Sequence, residues 1–207
     1  MIGMRVLIFA ITFLFITFST KAKKLNGEII YEDHTEKVVF DVPVSSGKIN
    51  FLKLQLGVTY FDNEDHEKVI LPQDAKEIHF NYKGEEIVLI SFNTNYENGG
   101  HYLINYNEPY CFVHRKRNGK LKLYDHRSYE DIETPNTTHS TGKTFVYSLY
   151  LQVGDGPLKY VRKRGFEWFI SRLLEDCPEV VELVKSKHYK RKHLDKIIDY
   201  YNTHCND

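Results

Sequence analysis

The stretch that most limits what this chain can fold into is its last forty-two residues, Phe166 to Asp207. Apolar side chains at Phe166, Phe169, Ile170, Leu173 and Leu174 recur at the spacing of one helix face. The run breaks at Asp176-Cys177-Pro178 and resumes at Val180, Val181, Leu183 and Val184. A third set follows at Leu194, Ile197, Ile198 and Tyr201, again with helical period. The pattern predicts three helices. The short Ser186–Tyr189 connection makes the last two antiparallel. Three short amphipathic helices have no core of their own and need an apolar layer to lie on.

That layer is expected from the chain before them. Strand-like runs are read at Leu25–Glu32 and Lys37–Val42, then at Ile49–Tyr60, where Leu52, Leu54 and Leu56 alternate with Phe51, Lys53 and Gln55. Asp62–Lys68 reads as a charged loop. Glu77–Tyr82 and Glu85–Phe92 read as a hairpin turning at Lys83-Gly84. A second hairpin joins Tyr110–His114 to Leu121–Tyr124 through Asn118-Gly119. A three-residue loop there sets Val113 opposite Leu123. A two-residue loop gathers Arg115, Arg117, Lys120 and Lys122 on one face, where like charges repel. Arg127–Lys143 reads as an exposed loop, Thr144–Val153 as a strand, and Gly154-Asp155-Gly156-Pro157 as a turn into Leu158–Arg162. The fold class expected is α+β. An antiparallel sheet assembly, a sandwich or an open barrel, is closed by the C-terminal helices. Residues 23–207 form one domain, with 23–165 the β-rich part and 166–207 the helical part.

Met1–Ala22 has the layout of a secretory signal peptide. Arg5 precedes the uncharged run Val6–Phe18, and Thr20-Lys21-Ala22 presents small residues for cleavage. Thirteen residues at 1.5 Å each reach about 20 Å, short of the ~30 Å hydrocarbon core, so a membrane anchor is disfavoured. No membrane span is expected once this segment is removed. Removal takes away Arg5 and Lys21 and no acid, leaving 26 basic against 28 acidic side chains, a net charge of −2. That balance argues against a general nucleic-acid binder. The expected location is secreted or periplasmic.

Several elements taken in order resemble a family of small exported proteins of unknown function common in Bacteroidota. They are Asn26-Gly27-Glu28-Ile29-Ile30 after the signal segment, Leu71-Pro72-Gln73-Asp74 before a hairpin, and Asn118-Gly119-Lys120-Leu121-Lys122-Leu123-Tyr124. Leu174-Glu175-Asp176-Cys177-Pro178 and Tyr201-Asn202-Thr203-His204-Cys205 close the chain. The resemblance implies a Gram-negative envelope location and no particular activity.

Motifs that carry chemistry are sparse. Thr141-Gly142-Lys143-Thr144 imitates the end of a phosphate-binding loop, but Thr137 stands where the motif needs glycine, and a strand follows. No H-E-x-x-H, Cys-x-x-Cys or G-x-S-x-G is present, so no catalytic residue, metal set or cofactor is assigned. His114 and His126 flank the Asn-Gly hairpin and are read as structural strand histidines. Asp62, Glu64, Asp65 and Glu67 read as a solvated loop, since they lack calcium-loop spacing. Basic residues gather at Arg115–Lys122, Lys159–Arg164 and Lys185–Lys196. If they share a face, Arg115, Arg117, Lys120, Lys122, Arg162 and Arg164 make a surface for anionic glycans or lipid head groups. The bland alternative is ordinary solvated strand and helix ends.

Three cysteines remain. Cys177 enters the second helix and Cys205 follows the third, so antiparallel packing brings their sulfurs together. Asp176 is expected to cap the second helix, with Glu179 in the reciprocal position. Cys111 is expected as a buried thiol. The function expected is a non-enzymatic binding or assembly component of the cell envelope, whose partner is an envelope protein or a glycan. The rival is an extracytoplasmic hydrolase acting on glycans through a carboxylate pair.

Overall fold

The structure, a computed structural model, describes residues 21–93, 109–131 and 143–205, with backbone alone at 129–131 and 143–144. The β-rich part contributes β1 (Lys21–Ile30), β2 (Thr35–Ser45), β3 (Lys48–Ile49), α1 (Phe51–Leu54), β4 (Val58–Phe61) and β5 (Glu67–Ile70). It continues with β6 (Glu77–Tyr82), β7 (Glu85–Asn93), β8 (Tyr110–Arg117), β9 (Leu121–Asp131), β10 (Lys143–Val153) and β11 (Lys159–Tyr160). Then come α2 (Phe166–Leu173), α3 (Pro178–Lys185) and α4 (Leu194–His204). The class is α+β. The candidate signal peptide lies outside the described residues, except that Lys21 and Ala22 already pair with Val44 and Pro43 in β1.

Among the described residues the strands form one sheet in the order β11-β10-β9-β8-β7-β6-β1-β2-β4-β5, with β3 paired to β2. Every described pairing is antiparallel. The sheet is one layer and does not close into a barrel, because β5 and β11 remain as edges. It does curl. The short α1 touches both β2 and β9, strands far apart in the order, so the sheet bends around it.

The curl has a visible cause. β9 is long, but it pairs with β8 only from Leu123 to Asp125. Below that rung the two strands part, and Gln55, just after α1, fills the gap. Its carbonyl accepts the Phe112 N–H at 2.8 Å. With its side-chain amide oriented toward the available donors, its oxygen accepts from His126 Nε2 at 3.0 Å and from the Arg127 N–H at 3.1 Å, and its nitrogen donates to the Arg127 carbonyl. A buried polar residue thus completes a ladder that the neighbouring strand leaves open.

Alternation along the strands sends apolar side chains to two faces. Ile29, Phe40, Ile78, Phe80, Leu89 and Phe112 belong to one core on the concave side. Leu121, Leu123 and Leu151 meet Ile170, Leu174, Val180, Ile197 and Tyr201 beneath the helices. Cys111, Val113, Tyr124 and Tyr150 face the other way and are covered by Leu158. Cys111 is fully buried and free, and burial pushes its thiol up to about 12.

Four expectations need correction. Ile49–Tyr60 is not one strand. Ile49 pairs back to Val44 through a turn at Ser46-Gly47, both with positive φ, and Phe51–Leu54 is a helical turn. Leu54 is buried and Phe51 packs against the same core, an i, i+3 pair hidden inside an apparent alternation. The charged loop is shorter than expected, because Glu67 and Lys68 already pair with Phe61 and Tyr60. In the Asn-Gly hairpin Leu123 stands opposite Arg117 rather than Val113, with an irregularity between Arg115 and Arg117. The Leu121 backbone is instead held by the side chain of Asn202 on α4, which accepts its N–H at 2.7 Å and donates to its carbonyl at 2.9 Å. Gly119 (φ 141°) lies so close that a Cβ there would strike Asn202. Finally, Arg127–Lys143 is not all loop: β9 runs to Asp131 and β10 starts at Lys143, with the intervening residues outside the described set.

Candidate binding groove

The register places a set of polar side chains on the outer face of the sheet. Glu28 stands beside Lys37 on β2 and beside His79 on β6. Asn81 stands beside Glu86 on β7, and Val39 beside Phe61 on β4. Asn26, Asp62 and Asn63 complete the rim of an open groove of about 650 Å³. Gly27 lies in its floor. A Cβ there would run into the His79 carbonyl and the Phe40 ring, which passes beneath.

His79 organises one wall. Its Nε2 lies 2.7 Å from Glu77 Oε2 and its Nδ1 lies 3.4 Å from Glu86 Oε1. Arg115 Nη2 is 3.4 Å from the same Glu77 oxygen. The hydrogen bond to Glu77 raises the His79 pKa against the opposing effect of burial. The bond from His79 lowers Glu77, also against burial, with Arg115 helping. At the other end Asp62 is held far below the usual carboxylate range by its bond from Lys68, at 2.7 Å, and by the backbone N–H groups of His66 and Glu64. Lys24 Nζ sits 3.8 Å from the centroid of the Phe61 ring.

Comparison with protein-family models, curated proteins and solved structures finds no match.

The site residues read from the sequence are dispersed. Cys177 and Cys205 form a disulfide, with Cα atoms 5.6 Å apart, at the open end of the α3–α4 pair. Glu179 lies beside them. Among the described residues Cys177, Glu179 and Cys205 are the group with metal-ligand spacing, and the two sulfurs are joined to each other. The expected Asp176 cap is not formed. Cys177 is the N-cap of α3 and makes no side-chain cap bond. Asp176 stands one residue before that cap and instead accepts from the Tyr201 hydroxyl of α4 at 2.6 Å and pairs with Lys120 of the hairpin at 3.3 Å.

The basic residues of the Asn-Gly hairpin have intramolecular partners. Arg115 meets Glu77, and Arg117 meets Asp195 at 3.5 Å. Lys120 donates to the Cys205 carbonyl at 2.6 Å, and Lys122 to the Gly154 carbonyl at 2.9 Å and to Asp155 at 3.3 Å. They tie the hairpin to α4 and to the turn after β10. Arg162 lines a separate pocket against α2, and Arg164 is exposed just before that helix.

Sequence reasoning missed a second polar constellation. Asp125, 1% exposed, accepts from His114 Nδ1 at 3.1 Å, from the Tyr147 hydroxyl at 2.9 Å and from Arg127 Nη2 at 3.3 Å. Burial pushes the Asp125 carboxyl up, but the His114 bond and the neighbouring positive charges outweigh it, and the group lies below its ordinary value. Phe51 stacks on His114 at 4.3 Å, and the Arg127 guanidinium lies 4.5 Å from the same ring. This cluster locks α1 to the seam where β8 and β9 part. His126, the histidine paired with His114 in the sequence reading, follows Asp125 on β9 and so points to the other face. There burial holds it neutral, with its pKa down at about 4.

Proposed function

We propose that the protein is a non-catalytic binding component of the cell envelope, acting outside the cytoplasm, and that its outer groove takes a glycan. The observation that carries this reading is the groove's composition. Asn26, Asn63 and Asn81 offer amide donors and acceptors, and Glu28 and Glu86 offer acceptors, beside the apolar edge of Phe61. Side chains that both donate and accept suit a polyhydroxylated ligand, which needs many directional hydrogen bonds. The envelope location is supported by the Cys177–Cys205 disulfide, a bond that persists in oxidising compartments. The layout of Met1–Ala22 and the family resemblance point the same way. Among the described residues no helix is long and apolar enough to cross a membrane.

The hydrolase reading needs one carboxyl kept protonated near neutral pH to act as acid. Asp62 and Glu77 are shifted in the opposite direction. Calorimetric titration with neutral cell-envelope oligosaccharides tests the proposal. Saturable binding is expected, weakened at least tenfold by Asn81→Ala, with no new reducing ends after prolonged incubation. Absence of binding to every oligosaccharide overturns the glycan assignment. Reducing ends that appear with the wild type and vanish with Glu28→Gln overturn the non-catalytic reading.

A further inference from the structure

One end of the strand order carries a surface of a different kind. Among the described residues β5 pairs with β4 alone, so its other side is an open edge. The Asp62 N–H donates to the His66 carbonyl at 3.1 Å, which sets the phase of the β4–β5 ladder. Hydrogen bonds then fall at the Tyr60–Lys68 and Val58–Ile70 pairs, and the N–H and C=O groups of Glu67 and Val69 turn outward. The usual guards of an edge are missing: no proline interrupts β5, and Lys68 is drawn onto Asp62 at 2.7 Å.

Apolar side chains gather on the same edge. Six large apolar side chains are exposed among the described residues, and three of them, Leu56, Val69 and Leu71, lie here. Val69 is 58% exposed. Val69 and Leu71 meet over Gly57, where a Cβ would lie 3.1 Å from one and 3.3 Å from the other. Leu71 is still extended (φ −92°, ψ 155°), so the two side chains, two residues apart, share a face. Unpaired backbone beside an apolar stripe is the surface that an added strand satisfies.

We infer that this edge pairs antiparallel with the β5 edge of a second copy, Val69 opposite Val69, in a weak symmetric dimer. A two-fold axis sets one residue of the strand opposite itself, and charge decides which. Centring on Glu67 or Lys68 sets like charges against each other. Centring on Ile70 brings the Pro72–Asp74 turn against Lys68 of the other copy. Centring on Val69 lays the two apolar stripes side by side and puts each Glu67 beside Leu71 of the other copy. Long-range charge does not oppose the approach, because the chain carries 28 basic and 28 acidic side chains. The contact is small, so the dimer forms only at high concentration. Residues paired across it share a face, so the two outer grooves open to the same side of one sheet. The dimer itself does not depend on the glycan assignment.

Sedimentation equilibrium and cysteine scanning test it. The protein should pass from monomer to dimer as its concentration rises, and Val69→Lys should weaken the dimer at least tenfold. Trp168→Ala, which removes an exposed apolar side chain elsewhere, should leave it within twofold. Cys111 is buried and Cys177 and Cys205 are joined, so an introduced thiol is the one free to cross-link. Under mild oxidation Val69→Cys should form a covalent dimer at least tenfold faster than Lys68→Cys or Glu67→Cys. The reason is that Cα atoms of a hydrogen-bonded pair stand about 5.5 Å apart, within reach of a disulfide. A chain that stays monomeric into the millimolar range overturns the proposal and leaves the edge to another protein's strand. Equal weakening by Val69→Lys and Trp168→Ala, or equal cross-linking by the three cysteine variants, overturns it in favour of unspecific association.

Discussion

The two ends of this molecule are held together by different means. The sheet from β1 to β7 rests on long ladders and an apolar layer, in which Phe40 and Phe80 meet at 5.7 Å in the space Gly27 leaves open. The helical end has an apolar layer too, but adds a disulfide, the Lys120 bond to the last helical turn, the Asn202 clasp on Leu121 and the Tyr201–Asp176 bond. Length explains the contrast. The helices span eight, eight and eleven residues, too short to be stable alone in water. A β1–β2 ladder of ten rungs fixes its own register, whereas three short helices must be told where to sit.

The largest expected effect breaks the sheet side. Phe40 is fully buried, and Phe40→Ala should cost about 3–5 kcal/mol through lost burial and the cavity left behind. Urea denaturation measures it. Because ladder and layer are one unit there, hydrogen exchange should accelerate across β1, β2 and β6 together. Acceleration confined to β2 would mean that the sheet is less cooperative than its packing implies.

The helical side should break locally. A bridge over 28 residues contributes about 3–4 kcal/mol by the chain-entropy estimate. The double variant Cys177→Ser, Cys205→Ser should lose that amount, and its amide exchange should rise in α3 and α4 before it rises in β6 or β7. Uniform acceleration would show that the helices and the sheet unfold as one.

This division also decides what could be read from sequence. The helices announce themselves, because a 3.6-residue period and Pro178 at the first position of α3 are local signals. The disulfide follows once α3 and α4 are antiparallel. The β6–β7 hairpin is legible for the same local reason: Lys83 and Gly84 both take positive φ, as their turn demands. α1 is hidden because four residues cannot show a period. The groove is hidden because Asn26, Phe61, Asn81 and Glu86 come from four strands and meet only through register. Asn202 gives no sign that its amide will stand in for a strand. The partners of the hairpin cations are hidden because Glu77, Asp155, Asp176 and Asp195 lie between 33 and 78 residues away in the chain.

Acid should probe the seam between the two ends. His126 is buried and donates to Gln55, and its pKa falls from 6.5 to about 4. Between those values the unfolded chain binds a proton that the folded chain refuses. The contribution is therefore complete above pH 6.5 and is lost as pH falls to about 4, by about 3 kcal/mol in all. His79 works in the opposite sense. Its pKa is raised by Glu77, so its contribution is present below its unfolded value and is lost as pH rises through the folded one. Denaturation of wild type and His126→Gln at pH 7.5, 6, 5 and 4 separates them. The wild type should lose more stability on acidification than the variant, chiefly below pH 6.5. Parallel curves would mean that His126 is not the neutral, buried group described.

The smallest effect tests whether every tie at the helical end matters. Arg117 and Asp195 meet at 3.5 Å, with side chains 48% and 62% exposed. In water-like surroundings their attraction is weak, salt screens it, and holding two long side chains in register opposes it. The Asn202 clasp differs in kind, because it satisfies two backbone groups of Leu121 that the β8–β9 ladder leaves unpaired. Arg117→Gln should therefore change stability by no more than about 0.5 kcal/mol. The coupling in a double-mutant cycle with Asp195→Asn should be of the same size and should shrink further in 0.5 M salt. A coupling well above about 1 kcal/mol would place this exposed pair among the groups that seat α4 on the hairpin, and would mean that charge as well as the covalent bridge decides where that helix sits.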